Sequence, residues 1–449
     1  MTTTKNNEHN KLNFSSEREQ SQACLNSAEH EKNQGRKVLN VPNKREQNQT
    51  CLDPAEREGL RPKGNVPNLR FPEFQGEWEE STIGEEFDLY SGNTPSRLNK
   101  EHFNGAINWI SSGELKEHYI ADTKEKISDE AAKTLKMLPI GTFVIAIYGL
   151  EADGVRGTGS ITKTEATISQ ACMAFISKGK VQNEFLYSWY KKHGNVIGIR
   201  YAQGTKQQNL SYDIIEKLKI AYPTFQEQEK LNKFIALLDE RIATQNKIIE
   251  DLKMLKSAII EKLYSEIQGK EYSYRQLFEI INERNNRLEF SNVLSASQER
   301  GMVSREDLNL DIKFERSNIN TYKIVRNGDY VIHLRSFQGG FAFSDIVGVC
   351  SPAYTIMRPK DLLEYGYLSY YFTSRQFIKS LVIVTYGIRD GRSINVDEWF
   401  DMKIVIPTKE QQRHIVRTIK VFENKIENEE IYASCLLKQK QHLLRQMFI

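Results

Sequence analysis

Four short stretches carry side chains of the kind that read a nucleic acid. YGIRDGRSI sets Arg389, Arg392 and Ser393 beside Gly387 and Gly391, and LRSFQGG offers Arg335, Ser336 and Gln338. Earlier, Arg156, Thr158, Ser160, Lys163 and Gln170 follow Tyr148 and Gly149. RYAQGTKQQNLS then supplies Arg200, Tyr201, Gln203, Lys206, Gln207 and Gln208. An arginine fork matches guanine or a phosphate, glutamine and asparagine pair bidentately with adenine, and lysine holds phosphates. Glycine lets a backbone come close to a ligand. A loop arginine serves equally well in a surface ion pair. The stretches are therefore read as groups, not as individual base contacts.

Bond-making chemistry is not legible. The chain has no Asn-Pro-Pro-aromatic or Asp-Pro-Pro-aromatic motif for adenine methyl transfer and no GxxxxGK[ST] phosphate loop. It has no GxSxG elbow and no HExxH, and Gly157-Thr158-Gly159 is not a dinucleotide fingerprint. The 8 histidines stand apart from one another, none at metal-ligand spacing. Glu79-Glu80 and Glu85-Glu86 read as solvated surface charge, and Trp78, Phe87 and Trp109 as core.

Composition narrows the class. Lys+Arg 62 against Asp+Glu 59 leaves +3, so any polyanion surface must be a local patch. Five scattered cysteines include no CxxC pair, which fits a reducing cytoplasm with neither zinc site nor disulfide framework. No run of about 18 apolar residues offers a membrane span, and MTTTKNNEHN lacks the apolar core of a signal peptide.

Two long amphipathic stretches must position those loops. In the first, apolar residues recur at Leu231, Ile235, Leu238, Ile242, Ile249, Leu252, Leu255, Ile259 and Leu263, with polar Gln245 between. The spacing of three or four predicts a long helix with a heptad-like seam, about 60 Å for about 40 residues. A single apolar stripe of that length needs a partner. The chain supplies one 184 residues on. Ile220, Pro223, Thr224, Gln228, Ile235, Ile242, Leu252 and Lys256 recur as Ile404, Pro407, Thr408, Gln412, Ile419, Ile426, Leu436 and Lys440. Gln245 is matched by Glu429, and Ile415 and Phe422 complete the second seam. The chain reads as two copies of a unit, each a globular domain followed by a long helix.

The expected organisation follows. Residues 1–65 are polar and read as a disordered extension. Residues 66–222 form a first domain, 223–268 the central helix, 269–406 a second domain and 407–449 the C-terminal helix. Both domains alternate β-like runs, such as GTFVIAIYG, QACMAFI, VRNGDYVIHL and SPAYTIMRP, with helical stretches at 129–138, 184–192 and 362–374.

VPNLRFPEFQGEWEESTIGEEFDLYSGNTPSR, NWISSGEL, VIAIYG, the HLRSFQGGF and SPAYT pair, GIRDGRSI and the two Pro-Thr helix starts resemble a type I restriction–modification specificity subunit. The resemblance runs from Val66 to Ile449. It implies an α+β fold of two target recognition domains, separated by two long helices packed as an antiparallel coiled coil with pseudo-twofold repetition. It implies that each domain reads half of a split target in double-stranded DNA, while the helices set the spacer. Two methyltransferase subunits dock on the helices, and endonuclease–translocase subunits join. S-adenosylmethionine, ATP and Mg2+ are then used by those partners and none by this chain, which is non-catalytic, cytoplasmic and unattached to a membrane. Two other readings stay open: a fused methyltransferase or nuclease with an unrecognised site, and a coiled-coil scaffold without DNA specificity.

Overall fold

A computed structural model describes residues 64–149, 156–203, 208–297, 300–308, 316–333, 340–386 and 393–449. Its contacts divide the chain into two compact units. Unit 1 holds the chain up to Gln245 together with Ile431–Ile449; unit 2 is Asn246–Glu430. Mixed helix and sheet make both units α+β.

Unit 1 is built on a five-stranded sheet in the order Phe87–Ser91, Cys172–Ser177, Phe143–Ala146, Gly159–Thr162, Tyr119–Ile120, antiparallel except for its last pair. Alternation along a strand explains its apolar reading. Phe143 and Ile145 face the Asn183–Tyr201 helix with Phe185, Leu186, Trp189 and Tyr190. Val144 and Ala146 pack on the other side with Ile110, Leu115 and Ile168. A second sheet, of Lys126–Ile127, Ile107–Ile110 and Ala166–Ile168, lies on that side. Trp78, Phe87 and Trp109 are buried, as expected of core residues.

Unit 2 repeats the plan. Its four-stranded sheet runs Phe278–Ile281, Thr355–Pro359, Tyr330–Ile332, Phe341–Phe343. Tyr330 and Ile332 join Tyr367, Phe372 and Phe377, while Val331 joins Leu294, Met302 and Val325. Each unit also pairs its first strand with the one that leads into a long helix: Glu79–Thr82 with Lys219–Tyr222, and Lys270–Ser273 with Lys403–Ile406. Both first strands end in a capping box, Thr82 with Glu85 and Ser273 with Gln276, that starts a four-residue helix.

The long helices are Phe225–Ser265 and Lys409–Met447, and each gives half its length to each unit. In unit 1, Leu231 and Ile235 share a core with Leu444 and Met447, and Asp239 meets Lys440. In unit 2, Lys253 meets Glu430, Lys256 meets Glu423, and Ile260 shares a core with Ile415 and Ile419. Within each unit the paired segments therefore run in opposite directions. Ile249, Ile426 and Leu436 are buried, whereas Leu238, Ile242, Leu252 and Phe422 are half-buried.

Four expectations need correction. Leu255 is 48% exposed, because beyond Leu252 the buried stripe passes through Lys256, Ile260 and Tyr264 instead. Glu86 is not surface charge: it is buried and accepts the Tyr222 hydroxyl at 2.9 Å. The helix expected at 129–138 spans only Asp129–Ala132, since Leu138, extended ahead of Pro139, bridges to Ala166. The helix expected at 362–374 is only Tyr367–Tyr371. Gly366 at φ +70° forms its N-cap, and Ser374 starts a separate helix, Arg375–Ser380.

Candidate nucleic-acid interface

In unit 1 several of the predicted reading residues converge at one end of the main sheet. Strand Phe143–Ala146 leads to Tyr148, whose backbone bridges to Asn209. Asn209 in turn exchanges backbone hydrogen bonds with Gln203, both at 2.9 Å. Gly149 N donates to Gln208 O at 3.1 Å, and Arg156 donates to the Gln208 side chain at 3.1 Å. Gly149 and Arg156 are thus both fastened to Gln208. Gln170 sits at the same end, since Ile147 N donates to Ala171 O.

Glycine makes this convergence sterically possible. A Cβ on Gly194 would stand 2.7 Å from Gly157 Cα, and one on Gly198 would stand 3.1 Å from Arg156 Cγ. Gly157 itself has φ +72°, a left-handed conformation that suits glycine. The helix therefore presents a smooth face along which Arg156–Gly157 runs, ending in Arg200 and Tyr201, with Gln203 just beyond it, all three exposed. The Arg200 guanidinium lies 5.9 Å from the Tyr201 ring.

Lys163 is not part of this group. It follows the other end of strand Gly159–Thr162, where its N donates to Ile120 O and its ammonium sits 4.4 Å over Tyr119. Lys206 and Gln207 lie outside the described residues, as do Arg335, Ser336, Gln338, Arg389 and Arg392. Ser393 pairs through its backbone with Tyr386 in unit 2.

Gln208, expected by type, joins the group, and so do Tyr148 and Asn209, which residue type does not mark as contacts. Tyr148 is 42% exposed and bridges to Asn209. Their sequence signal was proximity to the chosen residues; the bridging of two distant loops had no signal.

Cys172 and Cys350 are buried. Burial pushes the Cys172 and Cys350 thiols up to about 12, so neither is a nucleophile at neutral pH. Burial and Lys192 depress His193 to about 4. Among the described residues no group of three or more His, Cys, Asp or Glu is arranged to hold a metal ion. No helix among them is long and apolar enough to cross a membrane.

Comparison with known proteins places this architecture. Residues 75–254 match the type I restriction modification DNA specificity domain. The chain is similar to the type I restriction enzyme MjaIX specificity subunit of Methanocaldococcus jannaschii, 26% identical over 209 residues, covering 44% of this chain and 47% of that protein. It is also similar to the EcoR124I/EcoR124II specificity subunit of Escherichia coli, 30% identical over 190 residues, covering 41% and 45%. The chain spans about half the length of these two relatives. A solved chain from a study of complex assembly and conformational transition in the type I R-M system shares the fold at a TM-score of 0.56. There, identity is 14% and coverage 83% of this chain and 97% of that one. Residues 75–254 are thus similar to the DNA specificity domain of type I restriction–modification systems.

Proposed function

We propose that this chain is the DNA-recognition subunit of a type I restriction–modification enzyme and is itself non-catalytic. Residues 66–222 and 269–406 act as two target recognition domains, each reading one half of a split site in double-stranded DNA. The long helices form an antiparallel coiled coil related by a pseudo-twofold repeat. They hold the two domains about one helical turn of DNA apart, about 34 Å. They also dock two methyltransferase subunits, which endonuclease–translocase subunits then join. S-adenosylmethionine, ATP and Mg2+ belong to those partners, and the assembly works in the cytoplasm.

One observation carries this reading. The two units repeat the same sheet, capping box and helix start, and each pairs residues near the candidate readers, Gln203 with Asn209 and Tyr386 with Ser393. Two like readers on one frame suit a two-part target. Arg156, Gln170, Arg200 and Gln203 serve the first reader together with Lys206 and Gln207, while Lys163 holds phosphate. Arg335, Ser336, Gln338, Arg389, Arg392 and Ser393 serve the second.

The test is a genome-wide map of methylated adenines with and without the gene. Loss of one split motif on deletion is expected. An unchanged map, in a host with no second specificity subunit for that motif, contradicts the proposal.

A further inference from the structure

Unit 1 contains a polar cluster that the proposed reading surface does not use. His118 immediately precedes strand Tyr119–Ile120. Its ring is stacked between Tyr119 and Tyr187, with centroids 4.1 Å and 3.9 Å away. Nε2 lies 2.9 Å from Glu184 Oε2, and Nδ1 lies 3.3 Å from Asp239 Oδ2. The Nδ1 contact is an ion pair, not an aligned hydrogen bond. Tyr119 donates to the other Glu184 oxygen at 3.1 Å. Asp239 belongs to the first long helix and also meets Lys440 of the second. The His118 side chain is 13% exposed, so this is a sheltered tie between the sheet domain and the helix pair.

A carboxylate at each ring nitrogen calls for a proton on both, which only the imidazolium supplies. Burial opposes that charge, but the Asp239 and Glu184 carboxylates together prevail and raise the His118 pKa above its usual value.

Unit 2 makes the corresponding tie without histidine. Glu423, 184 residues beyond Asp239, meets Lys256 at 3.4 Å, and Lys256 is the repeat counterpart of Lys440. The sheet domain's donor there is the Tyr370 hydroxyl, 2.8 Å from Glu423. Burial, and then Glu423, raise the pKa of that phenol, so it keeps its proton across the neutral range.

We propose that His118 is a positioning residue: its imidazolium fastens the first recognition domain to Asp239, so reading by that domain weakens as pH rises, while reading by the second does not. This rests on the DNA-reading function proposed above. The His118 tie is fully present below the unfolded value of about 6.5 and is lost as pH climbs through the raised folded value. The other titratable or charged groups around it are Glu117, Tyr119, Lys163, Glu184, Tyr187, Lys191, Asp239 and Lys440. Burial and Lys440 depress Lys191 to about 8, and its effect has the opposite sign, favouring the folded state as pH rises past that value. Comparing the wild type with His118→Gln at each pH separates the two.

The experiment is hydrogen exchange on the full chain at pH 6 and pH 8.5, corrected for intrinsic rates. It follows peptides around His118 and Asp239 in unit 1, and around Tyr370 and Glu423 in unit 2. Unit 1 of the wild type should lose protection at the higher pH. Unit 2, and unit 1 of His118→Gln, should lose none. Equal slopes in wild type and His118→Gln, or in the two units, overturn the tie. A second readout is discrimination between the mapped target and targets altered in one half. It should weaken at pH 8.5 for one half only, and not in His118→Gln. Exchange as expected with pH-independent discrimination in both halves overturns the positioning role. A wild-type chain without selective binding at any pH refutes the DNA-reading function instead, while the exchange result still judges the tie.

Discussion

In unit 1, the Gln228 side chain donates to Lys180 O and Pro223 O, both at 2.9 Å, and accepts from Gln182 N. In unit 2, Gln412 donates to Leu362 O and Pro407 O, both at 3.0 Å, and accepts from Glu364 N. Both glutamines are buried in the first turn of a long helix and tie it to the same loop of their sheet domain. The residue beside each behaves differently. Gln411 closes a capping box with Thr408. Glu227, its counterpart, is 1% exposed and takes a bidentate pair from Arg70, at 2.8 and 2.7 Å. Leu69 N, next to Arg70, donates to Gln446 O of the second long helix. The helix start is thus held by one shared clamp, while the neighbouring position differs with what each unit packs against it.

Five substitutions break or sharpen that comparison. Arg70→Ala should be the most costly. It strands a buried carboxylate, at about 3–5 kcal/mol of unit 1 stability. Local exchange rates in the two units will show whether unit 2 is spared. Gln228→Ala and Gln412→Ala should each cost about 3 kcal/mol, since each leaves two carbonyls and one amide unmet. Near-equal losses, measured by denaturant-dependent exchange, support a common clamp; indifference in one unit breaks the equivalence. The smallest effect concerns the lysines. Lys440→Met should cost unit 1 about 2 kcal/mol and Lys256→Met should cost unit 2 about 1 kcal/mol. The Lys440–Asp239 pair is 15% and 24% exposed, against 29% and 36% for Lys256–Glu423, and the more sheltered pair is less screened.

The helices and their repeat were legible because period and spacing are local properties of the chain. Pro223, Thr224 and Gln228 already marked the clamp, although only the fold shows which carbonyls the glutamine reaches. Leu255 was misread because a heptad count cannot register the shift by which Lys256 and Ile260 turn inward. Glu86 was misread because its partner, Tyr222, lies 136 residues away. Gly366 moved the start of the expected 362–374 helix to Tyr367 by taking, at its N-cap, a left-handed conformation that no periodicity reveals. At the candidate interface, residue types pointed to Arg156 and Gln203. The bridges through Tyr148, Gln208 and Asn209 join segments more than 50 residues apart and had no pattern to announce them. Lys163 has the right type but lies at the far end of its strand.

The central claim is that two equivalent units read separate halves of one target. The most direct test is the methylation motif written by an assembled enzyme that carries the Arg389→Ala/Arg392→Ala chain. The account predicts that one half of the motif relaxes while the other half and the spacer stay as they were. A motif unchanged in both halves would contradict it.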